Sequence, residues 1–226
     1  MTARPKLLVA IAGVTTDVGK TWVGAALLEQ LRTSGRRVAA RKPVQSYEPG
    51  TLTTDAHRLA SASGEDPTSV CPPRRWYPLA VAPPIAAAHL GLAPIMLRDL
   101  LGELEWSTDV EVGVVETVGG VRSPLADDAD SATFLRALDA DRVVLVADAG
   151  LGAINAVRLC IDVLAPASIT VFLNRFDGGN DVHRANLEWL RERDGLTPVT
   201  TVDDCVASVL RRSGLGLSDP GGRLSE

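Results

Sequence analysis

The sequence predicts an α/β fold: a doubly wound, mostly parallel sheet with helices on both faces. Three observations carry that expectation. Val-rich segments of five to seven residues recur along the chain and are apolar almost throughout, as strands covered on both faces are. Segments with helical spacing of apolar residues separate them. The chain has 226 residues, enough for one such sheet with a good core, and no repeat or composition shift divides it. A single domain over residues 1–226 is expected, with 213–226, rich in turn residues, as a mobile tail.

The elements follow in order. Lys6–Ala12 is the first strand. Gly13–Thr21, Gly-Val-Thr-Thr-Asp-Val-Gly-Lys-Thr, fits G-x-x-x-x-x-G-K-T, one residue longer than the common phosphate loop when counted from Gly13. A helix over Lys20–Thr33 follows, with Val23, Leu27, Leu28 and Leu31 at helical spacing. Val38–Lys42 is the second strand, and Pro43 stops it because proline gives the ladder no N–H. Asp55–Ser63 has helical spacing. Leu79–Leu97 lacks Asp, Glu, Lys and Arg and is about as long as a membrane span, but it carries Pro83, Pro84 and Pro94, with Ala and Gly where a span would have Leu or Ile. It reads as a loop plus a buried helix. Helix Leu97–Leu104, strand Val110–Glu116, helix Ser131–Leu138, strand Arg142–Ala147, helix Ile154–Leu164, strand Ser168–Leu173 and helix Val182–Glu192 complete the alternation.

Strand, loop and helix together give the loop motif a physical meaning. Inward N–H groups and the positive end of the helix dipole bind phosphate oxygens. Lys20 would reach the β- and γ-phosphates, and the Thr21 hydroxyl would ligate Mg²⁺. The chain is therefore expected to be a P-loop NTPase-like single domain.

In such a sheet, ligands bind beyond the carboxyl ends of the strands. Lys42 stands at the end of the second strand, as a second cation near a moving phosphoryl group or as a surface residue. Asp55 opens a helix, as its cap or as a Mg²⁺ ligand. Glu116 ends a buried strand before Gly119-Gly120 and pairs with Thr21 as a Mg²⁺ ligand. Asp148–Asn155 holds two glycines before a helix, suiting a small anion or a plain turn. Asn174 follows the last strand, where it reads adenine or forms an Asx-turn.

Charge and cysteine usage narrow the function classes. The net charge of −5 contains no block of like charges, which argues against a nucleic-acid tail or a polybasic membrane patch. Cys71, Cys160 and Cys205 are few, odd in number and widely spaced, as reduced thiols in a cytoplasm are. His57, His89 and His183 show no ligand spacing. Trp22, Trp76, Trp106 and Trp189 form no base-stacking platform.

Together the segments Gly13–Thr21, Lys42-Pro43-Val44-Gln45-Ser46, Asp55, Pro83-Pro84…Ala88, Val115-Glu116…Gly119-Gly120, Leu151-Gly152-Ala153-Ile154-Asn155 and Asn174 resemble the dethiobiotin synthetase family, in order and over nearly the whole chain. The resemblance implies an ATP-dependent ligase of biotin biosynthesis. It joins 7,8-diaminopelargonate to CO₂ through a carbamate and a carbamic-phosphoric anhydride, releasing ADP and phosphate. It further implies that Thr16, Asp17, Val18, Gly19, Lys20 and Thr21 hold the ATP phosphates, with Trp22 beside them. Thr21, Asp55 and Glu116 would hold Mg²⁺. Catalysis would fall to Lys42, Lys20 and Thr16. Ser46 and Gly119 would line the diamine site, with Gly119 also near the nucleotide, and Asn174 would bind adenine with Pro198 nearby. The substrate carboxylate would reach Gly152, Ala153, Ile154 and Asn155 of a neighbouring subunit, which implies a homodimer.

The chain departs from the family pattern at Tyr47, Thr117, Val118, Gly150 and Ala156, all expected near the diamine. A paralogous ligase acting on another carbamate or carboxylate is the first alternative. A partitioning-type ATPase switch is disfavoured because Thr15 stands where those proteins carry a lysine. Retention of Lys20, Thr21, Lys42, Asp55 and Glu116 argues against an inactive nucleotide binder.

Overall fold

The computed structural model describes residues 4–211; the expected tail over 213–226 lies outside them. In chain order the elements are β1 (Leu7–Gly13), α1 (Lys20–Thr33), β2 (Val38–Arg41), β3 (Gln45–Ser46), α2 (Asp55–Ser63), α3 (Pro67–Val70), β4 (Trp76–Tyr77), α4 (Pro83–His89), α5 (Leu97–Gly102) and β5 (Val112–Glu116). They continue with β6 (Pro124–Ala126), β7 (Ala129–Asp130), α6 (Ser131–Leu138), β8 (Arg142–Asp148), α7 (Ala153–Leu164), β9 (Ile169–Asn174), α8 (Asp181–Glu192) and α9 (Val202–Leu210).

Five strands form one parallel sheet in the order β2-β5-β1-β8-β9. From β1 the chain runs outward to β2, returns to β5, then crosses to β8 on the other side. The order thus reverses beside β1, where such sheets open a crevice at the strands' carboxyl ends. Register brings the site residues level: Ile11 faces Glu116, Gly13 faces Val146, and Asp148 faces Asn174.

Side-chain alternation along β1 distributes the core. Leu7, Val9 and Ile11 pack on one face with Val23, Leu27, Leu28 and Leu31 of α1, Leu59 of α2 and Val209 of α9. On the other face Leu8 meets Tyr77 and Phe134, while Ala10 and Ala12 meet Leu135, Cys160 and Leu164 of α6 and α7. Burying apolar side chains at roughly 25 cal/mol per Å² on both faces is what holds so hydrophobic a sheet in the middle of the chain.

The expected helices and strands form, with boundaries shifted by a residue or two. Two shifts matter: β8 runs on to Asp148 and β9 to Asn174, placing both at the rim. Pro83 and Pro84 start α4, whose Pro83, Ala86 and Ala87 are buried, and no helix among the described residues is long and apolar enough to cross a membrane. Sequence reading missed α9 and the short pairs β3–β4 and β6–β7. Helix α9 carried a readable start, since Thr201 accepts from the Asp204 N–H at 3.2 Å.

Candidate active site

The loop between β1 and α1 turns at the carboxyl end of the central strand. Asp17 (φ 60°) and Gly19 (φ 95°) are both left-handed, which turns successive amides toward one hollow. A side chain at Gly19 is excluded twice, by that φ and because its Cβ would collide with the Asn174 amide nitrogen. Lys20 folds back over the loop, and its Nζ donates to the Thr15 carbonyl at 3.0 Å. Burial first, then the nearby charge of Lys42, lower its pKa from 10.5 to about 8. An incoming phosphate would favour the charged form.

Facing the loop is a buried ionic cluster. Lys42, 2 % exposed, places Nζ 2.6 Å from Glu116 Oε1, 3.0 Å from Asp55 Oδ2 and 3.1 Å from the Thr117 carbonyl. The Thr21 hydroxyl stands 3.0 Å from Asp55 Oδ1 and 2.9 Å from Glu116 Oε1. Burial alone would lower the Lys42 pKa, but the Asp55 and Glu116 charges and their hydrogen bonds outweigh it and raise it. The Lys42 charge holds the Asp55 carboxyl below its usual range, whereas burial pushes Glu116 up. The two carboxylates share one ammonium and titrate as a unit. The choice between cap and ligand for Asp55 also resolves. Thr54 and His57 cap α2 together, with the Thr54 N–H donating to His57 Nδ1 at 3.3 Å, so the Asp55 carboxylate is free to face the loop.

Thr21, Asp55 and Glu116 offer oxygen donors only, and Glu116 Oε2 is buried without a partner. This donor set fits Mg²⁺, which takes one or two carboxylates and completes its octahedron with waters and substrate phosphates. Among the described residues no group of three or more His, Cys, Asp or Glu stands together, so a denser all-protein cage is not formed there.

This constellation bears comparison with known proteins. The AAA domain family profile matches residues 8–182. The ATP-dependent dethiobiotin synthetase of Haloferax mediterranei is 34 % identical over 213 residues, covering 88 % of each chain. That of Phenylobacterium zucineum is 38 % identical, covering 71 % of each, and that of Aromatoleum aromaticum is 36 % identical, covering 81 % of this chain and 84 % of its own. The chain belongs to the dethiobiotin synthetase family. Solved structures share the fold at low identity. A plasmid partition protein from Borrelia burgdorferi has a TM-score of 0.54 at 15 % identity, covering 91 % of this chain and 96 % of its own. Chloroplast FtsY from Physcomitrella patens has 0.52 at 16 %, covering 93 % of this chain and 66 % of its own.

The remaining residues expected from the dethiobiotin synthetase resemblance fall into two groups. Gly119 is brought to the loop: a Cβ there would stand 3.6 Å from Thr16 Oγ1. Ser46 lies half-buried in β3 opposite Tyr77, four residues after Lys42 and in the separate β3–β4 pair. Asn174 reaches the loop, where its Nδ2 donates one hydrogen to the Val18 carbonyl at 2.8 Å; its Oδ1 and the second amide hydrogen are not used by that bond. Val18 is buried, whereas Thr16 and Asp17 are exposed. Gly152 and Asn155 are exposed at the start of α7, Ile154 is half-buried, and Ala153 is buried beneath them.

Two more expected residues have different surroundings. Trp22 is 56 % exposed on the first turn of α1. Pro198 is buried beside Val199, which pairs in parallel with Phe172 as a one-residue edge strand. That register leaves Pro198 roughly 10 Å short of the Asn174 level, at about 3.3 Å per residue. It lines an edge cavity of about 420 Å³ with Leu196 and Ala207 instead.

The departures at 117–118 also look away from an open site. The Thr117 hydroxyl donates to the Ile11 carbonyl at 3.1 Å, and Val118 packs against the cluster of Tyr77 and Phe134. Tyr47 is half-buried, edge-on to Trp76 at 6.5 Å. Sequence reading missed Arg175. From a left-handed backbone (φ 56°) its guanidinium reaches Asp148 at 2.8 Å and the Asp17 carbonyl at 2.9 Å, tying the ends of β8 and β9 to the loop. Its place directly after Asn174 was the available signal.

Proposed function

We propose that this chain uses ATP to carboxylate and close 7,8-diaminopelargonate into dethiobiotin, releasing ADP and phosphate. The observation that carries the reading is Lys42, buried between Asp55 and Glu116 and facing the phosphate loop, in a chain of this family. An amine of the substrate attacks CO₂, giving a carbamate and releasing a proton. Lys42 offsets the new negative charge, and its environment keeps it an ammonium. Loop amides and Lys20 hold the β- and γ-phosphates so that a carbamate oxygen lies in line with the γ-phosphorus. Transfer gives the carbamic-phosphoric anhydride and ADP. The second amine then attacks the carbonyl carbon, phosphate leaves and the ring closes. Mg²⁺, held by Thr21, Asp55 and Glu116, would neutralise phosphate charge. No nucleophilic side chain is required.

Ser46 and Gly119 line the diamine on this reading, and Asn174 offers Oδ1 to the adenine amine. The open start of α7, Gly152–Asn155, receives the carboxylate of a diamine bound mainly to the other subunit of a homodimer in the cytoplasm. The test incubates the protein with 7,8-diaminopelargonate, bicarbonate, Mg²⁺ and ATP. Dethiobiotin by mass spectrometry, formed in step with ADP, is expected. ADP without dethiobiotin would assign a different acceptor, and neither product would overturn the reading.

A further inference from the structure

Gln45 is 1 % exposed, and its Oε1 accepts from the Ala56 N–H at 3.1 Å. That bond fixes the carboxamide: flipped, it would set two donors against each other. Nε2 therefore points away from the α2 backbone with two hydrogens to give, and it has no partner. Buried polar atoms in folded proteins are almost always bonded, so an unmatched donor marks a place where something else supplies the acceptor. The same condition is found at Glu116 Oε2, and Glu116 touches Lys42 at 2.6 Å. Gln45 belongs to this neighbourhood. It follows Lys42 by three residues, and its carboxamide is anchored one residue from Asp55, whose carboxylate meets Lys42 at 3.0 Å.

A neutral N–H₂ donor on the segment that carries the Lys42 ammonium suits an anion oxygen. Lys42 and Thr21 already engage both Asp55 oxygens and Glu116 Oε1, and Glu116 Oε2 makes no bond to Gln45 Nε2. We propose that Gln45 Nε2 donates to a carbamate oxygen of the substrate, holding the group against Lys42 for phosphorylation. The proposal rests on the function given above and assigns Gln45 to substrate binding.

Two variants separate this role from capping of α2. Gln45→Glu keeps an acceptor for Ala56 and removes the donor; Gln45→Met removes both. Carbamate bound to the protein is read by ¹³C NMR with labelled bicarbonate and 7,8-diaminopelargonate, without ATP. Both variants are expected to lower its population about tenfold, the size of a lost hydrogen bond to a charged group. Affinity for a non-hydrolysable ATP analogue should stay within about twofold. Wild-type carbamate levels in both variants would overturn the proposal. So would a loss confined to Gln45→Met that follows a lower melting temperature, or a loss of nucleotide affinity instead. A wild-type protein that makes no dethiobiotin would overturn the function itself, a separate outcome.

Discussion

Helices α1 and α7 start in the same way and in opposite surroundings. Each begins on a left-handed glycine, Gly19 at φ 95° and Gly152 at φ 91°, and neither has a side-chain cap. Among the six described helices of eight residues or more, the other four are capped by Thr54 with His57, Asp130, Asn180 and Thr201. A capping side-chain oxygen would occupy the second or third amide, whereas glycine brings none; the first amide of α7, the Ala153 N–H, donates to the Gly150 carbonyl at 3.2 Å. At α1 the free amides are enclosed: Lys20 returns to Thr15, Asn174 packs on Gly19, and Arg175 grips Asp17. At α7 Leu151 is 96 % exposed, and no atom outside its neighbours comes within 4 Å of where a Gly152 Cβ would stand. One backbone device thus serves a hollow completed within the chain and an end that is open to solvent.

Lys20→Ala attacks the enclosed end and carries the largest expected effect, a fall in kcat of about 10²–10³ measured as ADP release. Unchanged turnover would remove Lys20 from the phosphate site. Glu116→Gln should raise the Mg²⁺ concentration for half-maximal rate about tenfold or more, with a smaller change in nucleotide affinity. A normal Mg²⁺ titration takes Glu116 off the metal. Gly152→Asp forces a side chain onto a left-handed backbone and puts a carboxylate at the open end. The KM for the diamine should rise about fivefold while the KM for ATP stays put. If both move together, the two helix starts are not separate sites.

A control uses an ion pair that makes no contact with either helix start. Arg75 bonds Glu103 at 2.7 and 2.9 Å. Burial would raise the Glu103 pKa, but its bonds to Arg75 and the arginine charges lower it from 4.5. A carboxyl lowered in the folded state binds its proton more readily when unfolded. Its contribution is therefore present above pH 4.5 and lost as pH falls through the lowered value. Glu103→Gln should cost about 1 kcal/mol or less at pH 7 and flatten the acid limb of the melting-temperature profile, with catalysis unchanged. An unaltered acid limb would remove Glu103 from that titration.

The parts legible in the sequence are those fixed by local order. The apolar run before Gly13, Pro43 after Lys42, and the glycines after Glu116 each put a functional residue at a strand end, and the sheet brought those ends together. Tertiary pairing was not legible. Nothing in the sequence says that Lys42 bridges two carboxylates or that Asn174 gives its amide to Val18. The two-residue strands β3 and β4 are too short for alternation, so the path of Gln45 and Tyr47 was hidden. The place of Pro198 was not legible either, because Val199 joins the sheet edge in a register that no spacing announces.

The contacts of Lys42 also constrain how the chain can drift. Lys42 and Glu116 balance each other out of water, with the more exposed Asp55 as a second partner of Lys42, and removing one member of a buried pair costs about 3–5 kcal/mol because its partner is left charged and unmatched. Total stability of a domain this size is only about 5–15 kcal/mol. A lineage that no longer needed the reaction could not discard these three residues one at a time without endangering the fold. Their loss would come together or through compensated steps, so a descendant could keep the full charged set after its activity had gone.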